Sequence, residues 1–231
     1  MDWLHVLSMG VFRHLLGHFT QEVLYANIYD VPGTEENLFM NGTRQLKQDY
    51  RNWMTAERKA GKNHTNIDII SHKSFGSKDD PQVTFFGAQT NGFIRCCNDQ
   101  LVPKADCLGD RCEHFKKCIA SCVRLVDLIR QNPHRMSMRD TQDFCNQCKI
   151  FLRGNEELCI GVKPKHHSLM EMCVKIRSEG SPEFSSCWGD ESLNKSIKDV
   201  AKGAHVSVFH VRILATWAFK TRRGFKRARE P

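Results

Sequence analysis

Apolar residues recur at intervals of three and four along most of this chain, the spacing of one buried face of an α-helix. The first such stretch lies between residues 3 and 29 and ends before Pro32 and Gly33; its apolar positions are Leu4, Leu7, Val11, Leu15, Phe19 and Val23. Further helices are predicted at about 34–60, 88–101, 110–131, 137–153, 164–179, 190–203 and 205–221. Short strands are expected only at residues 67–70 and 83–86.

These elements predict a mainly α fold, a helical bundle with little sheet. We expect a helical hairpin in residues 1–62, a loop or linker with short strands in residues 63–87, and a helical domain in residues 88–221. Residues 222–231 form a basic tail.

Composition and charge narrow the classes of function. The chain has 231 residues, of which 40% are hydrophobic, and no apolar run approaches the roughly 20 residues that a membrane span requires. We therefore expect no membrane partner. The first helix does not resemble a secretion signal, because it opens with Asp2 and is interrupted by Arg13, His14 and His18.

The net charge of +8 is concentrated near the end of the chain. The basic residues there are Lys220, Arg222, Arg223, Lys226, Arg227 and Arg229. Such a block binds phosphates or serves as a nuclear address, although a solvated tail has the same composition. We expect DNA as the partner, with RNA as an alternative, and a nuclear location. Few aromatic residues lie among these cations, which disfavours base stacking.

Cysteine and histidine residues indicate a candidate metal site. There are 11 cysteines, and in a reducing compartment such thiols are metal ligands or core residues more often than disulfides. Cys145 and Cys148 have the two-residue spacer of a zinc knuckle, and Cys118 and Cys122 share one helix face. His166 is a further candidate ligand. Burial of small thiols in the core explains the same pattern, so both interpretations stay open.

Two segments far apart in the chain resemble the DDE transposases of cut-and-paste DNA elements of the CACTA type. The first contains Asp2-Trp3-Leu4-His5, followed by Gly10, Val11, Leu15, Leu16 and Gly17; the second contains Lys165-His166-His167-Ser168-Leu169, then Gly180, Pro182, Glu191 and Lys195. Leu4 stands where the family usually has Met. The resemblance implies the C-terminal fragment of an RNase H-like core with a helical insertion, so a truncated α/β remnant is the alternative to a plain bundle.

The resemblance also implies a catalytic role for Asp2 and Glu191, with Asp190 in reserve. In that family, carboxylates hold Mg²⁺ ions over the scissile phosphodiester. The family carries another Asp on an earlier strand, and no residue before Asp2 supplies it, so we expect an incomplete site. Acidic residues in the first turn of a helix are also favoured by the helix dipole alone. The sequence thus predicts a transposase-derived DNA-binding protein, an enzyme only if a metal-dependent nuclease activity survives. The alternatives are a zinc-stabilised interaction module and an RNA-binding accessory protein.

Overall fold

The computed structural model describes residues 3–182 and Ala215. Six α-helices follow one another in residues 3–182: α1 (Phe12–Tyr25), α2 (Glu35–Lys59), α3 (Gly87–Cys96), α4 (Asp110–Gln131), α5 (Met138–Glu157) and α6 (Pro164–Glu179). A π-helix (Leu4–Val11) precedes α1, a second one (Cys97–Leu101) follows α3, and short 3₁₀ turns occupy His72–Phe75, Val102–Lys104 and Asp106–Leu108. The mainly α fold predicted from the sequence is confirmed.

The π-helix and α1 form the centre of the core. Leu7, Val11, Leu15, Phe19 and Val23 are at most 1% exposed, which confirms the apolar face read from their spacing. The chain kinks at Gly10, whose backbone is not helical. The single predicted helix is therefore a kinked π-helix followed by α1. Hydrophobic spacing does not report π-helical hydrogen bonding, so this division was not predictable from the sequence.

Helices α4, α5 and α6 pack side by side, and α6 also packs on the π-helix. Arg124 of α4 bonds Asp143 of α5, whereas Cys118 bonds the Phe151 carbonyl, so α4 and α5 run antiparallel. The start of α5 is fixed by the Ser137 hydroxyl, which accepts a hydrogen bond from the Asp140 amide at 3.0 Å.

Residues 60–86 connect α2 to α3 in extended and turn conformations. Among the described residues neither 67–70 nor 83–86 forms a strand, and the prediction of strands there was wrong. Instead the Val83 amide donates to the Arg13 carbonyl of α1 at 3.0 Å, and the Thr84 amide donates to the Ser74 carbonyl at 3.0 Å. The segment therefore satisfies its backbone groups against a helix and a turn.

None of the helices in residues 3–182 has the length and apolarity needed to cross a membrane.

Candidate functional site

The two segments that carry the transposase resemblance meet in the structure. The ammonium group of Lys165, near the start of α6, donates to the Met9 carbonyl of the π-helix at 3.2 Å. A Cβ atom at Gly10 would lie 2.5 Å from Cδ of Lys165 and 2.8 Å from the His5 carbonyl oxygen. Glycine at position 10 thus admits the lysine, and residues about 155 apart in sequence become neighbours.

Two histidines of α1 lie beside this contact. His14 and His18 are one turn apart and half-buried, and Lys163 and Asp80 lie close enough to influence both. Burial lowers the pKa of His14, and the positive charge of Lys163 lowers it further. Burial also lowers the pKa of His18, against the opposing effect of Glu22. Both rings are therefore neutral near pH 7 and can donate or accept a hydrogen bond.

His166 holds the start of α6 in place. The Lys163 amide donates to Nδ1 of His166 at 2.9 Å, and the imidazole stacks on Phe151 with ring centroids 6.0 Å apart. The side chain is buried, which lowers its pKa. His167 is exposed, so the two adjacent rings point in different directions, as their helical geometry requires.

These three lowered pKa values predict a loss of stability in acid. A histidine whose folded-state pKa lies below its unfolded value of 6.5 stabilises the fold above that value, and the stabilisation is lost as the pH falls through the folded pKa. The contribution of these histidines to the melting temperature should be constant from pH 8 to 7 and should be lost below about pH 6.5. Thermal melts across this range should show a shallower fall for the double variant His14→Gln, His18→Gln. The exposed control His167→Gln should match the parent, and an identical fall in all three proteins would refute the assignment.

A cluster of thiols lies between α5 and α6. Cys145 and Cys148 of α5 lie close enough to Cys173 of α6 for these thiols to influence one another's pKa, and the Cys145 sulfur donates to the Cys173 carbonyl oxygen at 3.8 Å. The neighbouring Cys148 and Cys145 thiols and the charge of Lys149 outweigh burial and lower the pKa of Cys173 below its ordinary value. The bond to Cys173 and burial raise the pKa of Cys148. Sequence spacing identified the α5 pair but not Cys173.

The other predicted metal ligands are Cys118, Cys122 and His166, and they differ in how close they lie to this thiol cluster. Cys122 is fully buried and close enough to Cys148 to influence its pKa. Cys118, one turn earlier, donates to the Phe151 carbonyl at 3.7 Å, and burial raises its pKa to about 12. His166 precedes Cys173 by seven residues on α6, about 10 Å along the axis, so it does not share a site with these thiols. Among residues 3–182, no three metal-binding side chains are arranged to hold an ion. The zinc site stays a prediction.

A polar cleft of about 440 Å³ lies where the end of α2 meets α3 and α4. Its ionic side chains bind one another: Glu57 bonds Lys62 and His64, each at 3.0 Å, and Arg95 bonds Asp127. Burial alone would raise the pKa of Glu57, but the bonds from His64 and Lys62 outweigh it and lower the pKa. The indole of Trp53 donates to Asp99 at 3.0 Å at the same place. This cleft was not identified from the sequence. Its positive and negative side chains are paired with one another, so it has no excess charge that would attract an ionic ligand.

The catalytic and nucleic-acid-binding predictions fall outside the described residues. This holds for Asp2, Asp190 and Glu191, and for the basic residues Lys220, Arg222, Arg223, Lys226, Arg227 and Arg229. They stay predictions from the sequence. No family model, curated protein or solved structure matches this chain at a significant level.

Proposed function

We propose that this chain is a transposase-derived DNA-binding protein without a complete set of catalytic carboxylates. The observation that carries the proposal is the contact between the π-helix and α6. Gly10 and Lys165 belong to the two separate segments that resemble the transposase family, and they pack directly against each other.

The charge of the chain supports a polyanionic partner. The net charge of +8 gives a long-range attraction to nucleic acid that weakens with salt. Near the contact between the π-helix and α6, the Lys163 side chain is 45% exposed and its ammonium group lies 3.6 Å from the Asp80 carboxylate. Such a surface ion pair is weak, and a phosphate can displace it. We place the main phosphate contacts in the basic segment of residues 220–231, which carries six of the cations.

Catalysis of strand cleavage requires a more complete carboxylate set than the resemblance supplies. Two Mg²⁺ ions in such a core are held by at least three carboxylates, and only Asp2 and Glu191 align, with Asp190 next to Glu191. With one carboxylate too few, the ions are not held at the spacing that in-line attack on phosphorus needs. DNA binding therefore needs no complete carboxylate set, whereas strand cleavage does.

A single experiment tests both halves of the proposal. The full chain is mixed with supercoiled plasmid and Mg²⁺, and the products are resolved on an agarose gel. We expect retardation of the supercoiled band without conversion to open circles, and release by competitor duplex DNA at lower concentration than by duplex RNA. Failure to retard the plasmid, or stronger competition by RNA, would contradict DNA as the partner. Nicking that disappears in Glu191→Gln would show that catalysis is intact.

The second candidate function is a zinc-stabilised interaction module, and the thiol cluster of Cys145, Cys148 and Cys173 favours it. Cys145 and Cys148 have the two-residue spacer of a zinc knuckle and Cys173 packs beside them, although in residues 3–182 no three such side chains are arranged to hold an ion. Elemental analysis separates the two functions, because one zinc per chain that is needed for folding is expected only of the module.

A further inference from the structure

The thiol cluster joins two helices through sulfur atoms that are already neighbours. Cys173 contributes the α6 side, and Cys145 and Cys148 contribute the α5 side, all three as free thiols. Cys148 is fully buried, whereas Cys145 and Cys173 retain partial exposure at the helix surface. A small oxidant can therefore reach the cluster from solvent. The buried thiol of Cys148 lies next to the exposed ones and can form a disulfide with an oxidised neighbour.

We propose that Cys173 is an oxidation site at which a peroxide forms a disulfide between α6 and the Cys145/Cys148 pair of α5. This site is independent of DNA binding and requires no metal ion. It assigns to Cys173 a reactivity that distinguishes it from the fully buried cysteines of the core, such as Cys122, which is shielded from solvent.

The reaction proceeds in two balanced steps. The Cys173 sulfur attacks one oxygen of hydrogen peroxide, the O–O bond breaks, and hydroxide leaves with the thiol proton as water, which gives a sulfenic acid. An α5 sulfur then attacks the Cys173 sulfur, the S–O bond breaks, and the departing hydroxide takes the proton of the attacking thiol as a second water. Two thiols are oxidised and one peroxide is reduced.

The structure favours this outcome over further oxidation of Cys173. The Cys145 sulfur lies 3.8 Å from the Cys173 carbonyl oxygen in the native packing of α6 on α5, so the second step needs no unfolding of either helix. A sulfenic acid beside a thiol condenses with it faster than a solitary one does, which protects it from irreversible sulfinic acid formation. Cys159, which is exposed and follows the end of α5 by two residues, offers a comparison within the same chain.

Peptide mapping tests the proposal on the full-length protein. The reduced chain is treated with hydrogen peroxide, remaining thiols are blocked with N-ethylmaleimide, and a tryptic digest is analysed without reduction. Cleavage after lysine and arginine places Cys145 and Cys148 together on the peptide of residues 140–149 and Cys173 on that of residues 166–175. We expect these two peptides to be joined, to separate on treatment with dithiothreitol, and to stay separate in Cys173→Ser but not in Cys159→Ser.

A second measurement uses stability, and so does not depend on any variant folding. A cross-link that closes a loop of this length should raise the melting temperature by roughly 5 °C or more. The proposal is overturned if Cys173 is left unmodified while Cys159 reacts, or if Cys173 ends as a sulfinic acid without a cross-link. It is also overturned if the purified chain holds stoichiometric zinc that blocks the reaction.

Discussion

Replacing the six basic residues of segment 220–231 by glutamine is expected to lower affinity for duplex DNA at least about 100-fold in 0.1 M salt. The residues changed are Lys220, Arg222, Arg223, Lys226, Arg227 and Arg229. Each cation that neutralises a phosphate releases a counterion from the duplex, and this release supplies most of the binding free energy of a protein that does not read the sequence. Fluorescence anisotropy with a labelled duplex of about 30 base pairs, long enough for several such contacts, measures the change.

A second variant controls for the loss of net charge. It removes six cations from exposed positions in the described part of the chain: Arg51, Arg58, Lys59, Lys73, Lys117 and Arg153. We expect this variant to lose much less affinity, because dispersed charges act only through the long-range field. Equal losses in the two variants would mean that the tail has no special part in binding.

Gly17→Ala is expected to destabilise the fold by about 3 kcal/mol, at the upper end of overpacking effects. A Cβ atom at this position in α1 would lie within 2.5 Å of backbone atoms of Pro81 and Gln82. Backbone cannot rotate away as a side-chain tip can, so either α1 or the connecting segment must shift. Urea unfolding followed by circular dichroism measures the free energy of unfolding.

Gly92→Ala is the matched control for this substitution. Gly92 also lies within a helix, α3, but its Cβ would come no closer than 3.5 Å to Cβ of His64, an ordinary contact. The gain in helix propensity should make this variant neutral or more stable by up to about 1 kcal/mol. If Gly17→Ala were as stable as Gly92→Ala, the close packing of the connecting segment on α1 would be wrong.

The sequence predicted the helices because each presents a full apolar face over several turns. Predicted and observed bounds agree within a few residues for α2, α4, α5 and α6. The prediction of a strand in the connecting segment, residues 60–86, was wrong for a physical reason. Val83 and Phe85 are buried while Thr84 and Phe86 are exposed, which is the alternation of a strand. Periodicity reports which side chains face the core, but the hydrogen-bond partner of the backbone is set by tertiary packing, and here it is Arg13 of α1.

In the candidate site too, the sequence identified the residues that are close along the chain but not those that helix packing brings to them. The two-residue spacer of Cys145 and Cys148 was visible locally, whereas Cys173 joins them only because α6 packs on α5. Likewise, Gly10 was notable in the sequence only through the family resemblance. Its physical role, to admit Lys165 beside the π-helix, depends on a contact between distant parts of the chain.

The salt dependence of duplex binding by the unaltered full-length chain tests the central claim most directly. Binding constants measured between about 50 and 200 mM salt should fall along a straight line of log affinity against log salt concentration, with a slope near −5 if all six cations of segment 220–231 contact phosphates. A slope near zero, or no binding at the lowest salt concentration, would contradict the account of this chain as a DNA-binding protein.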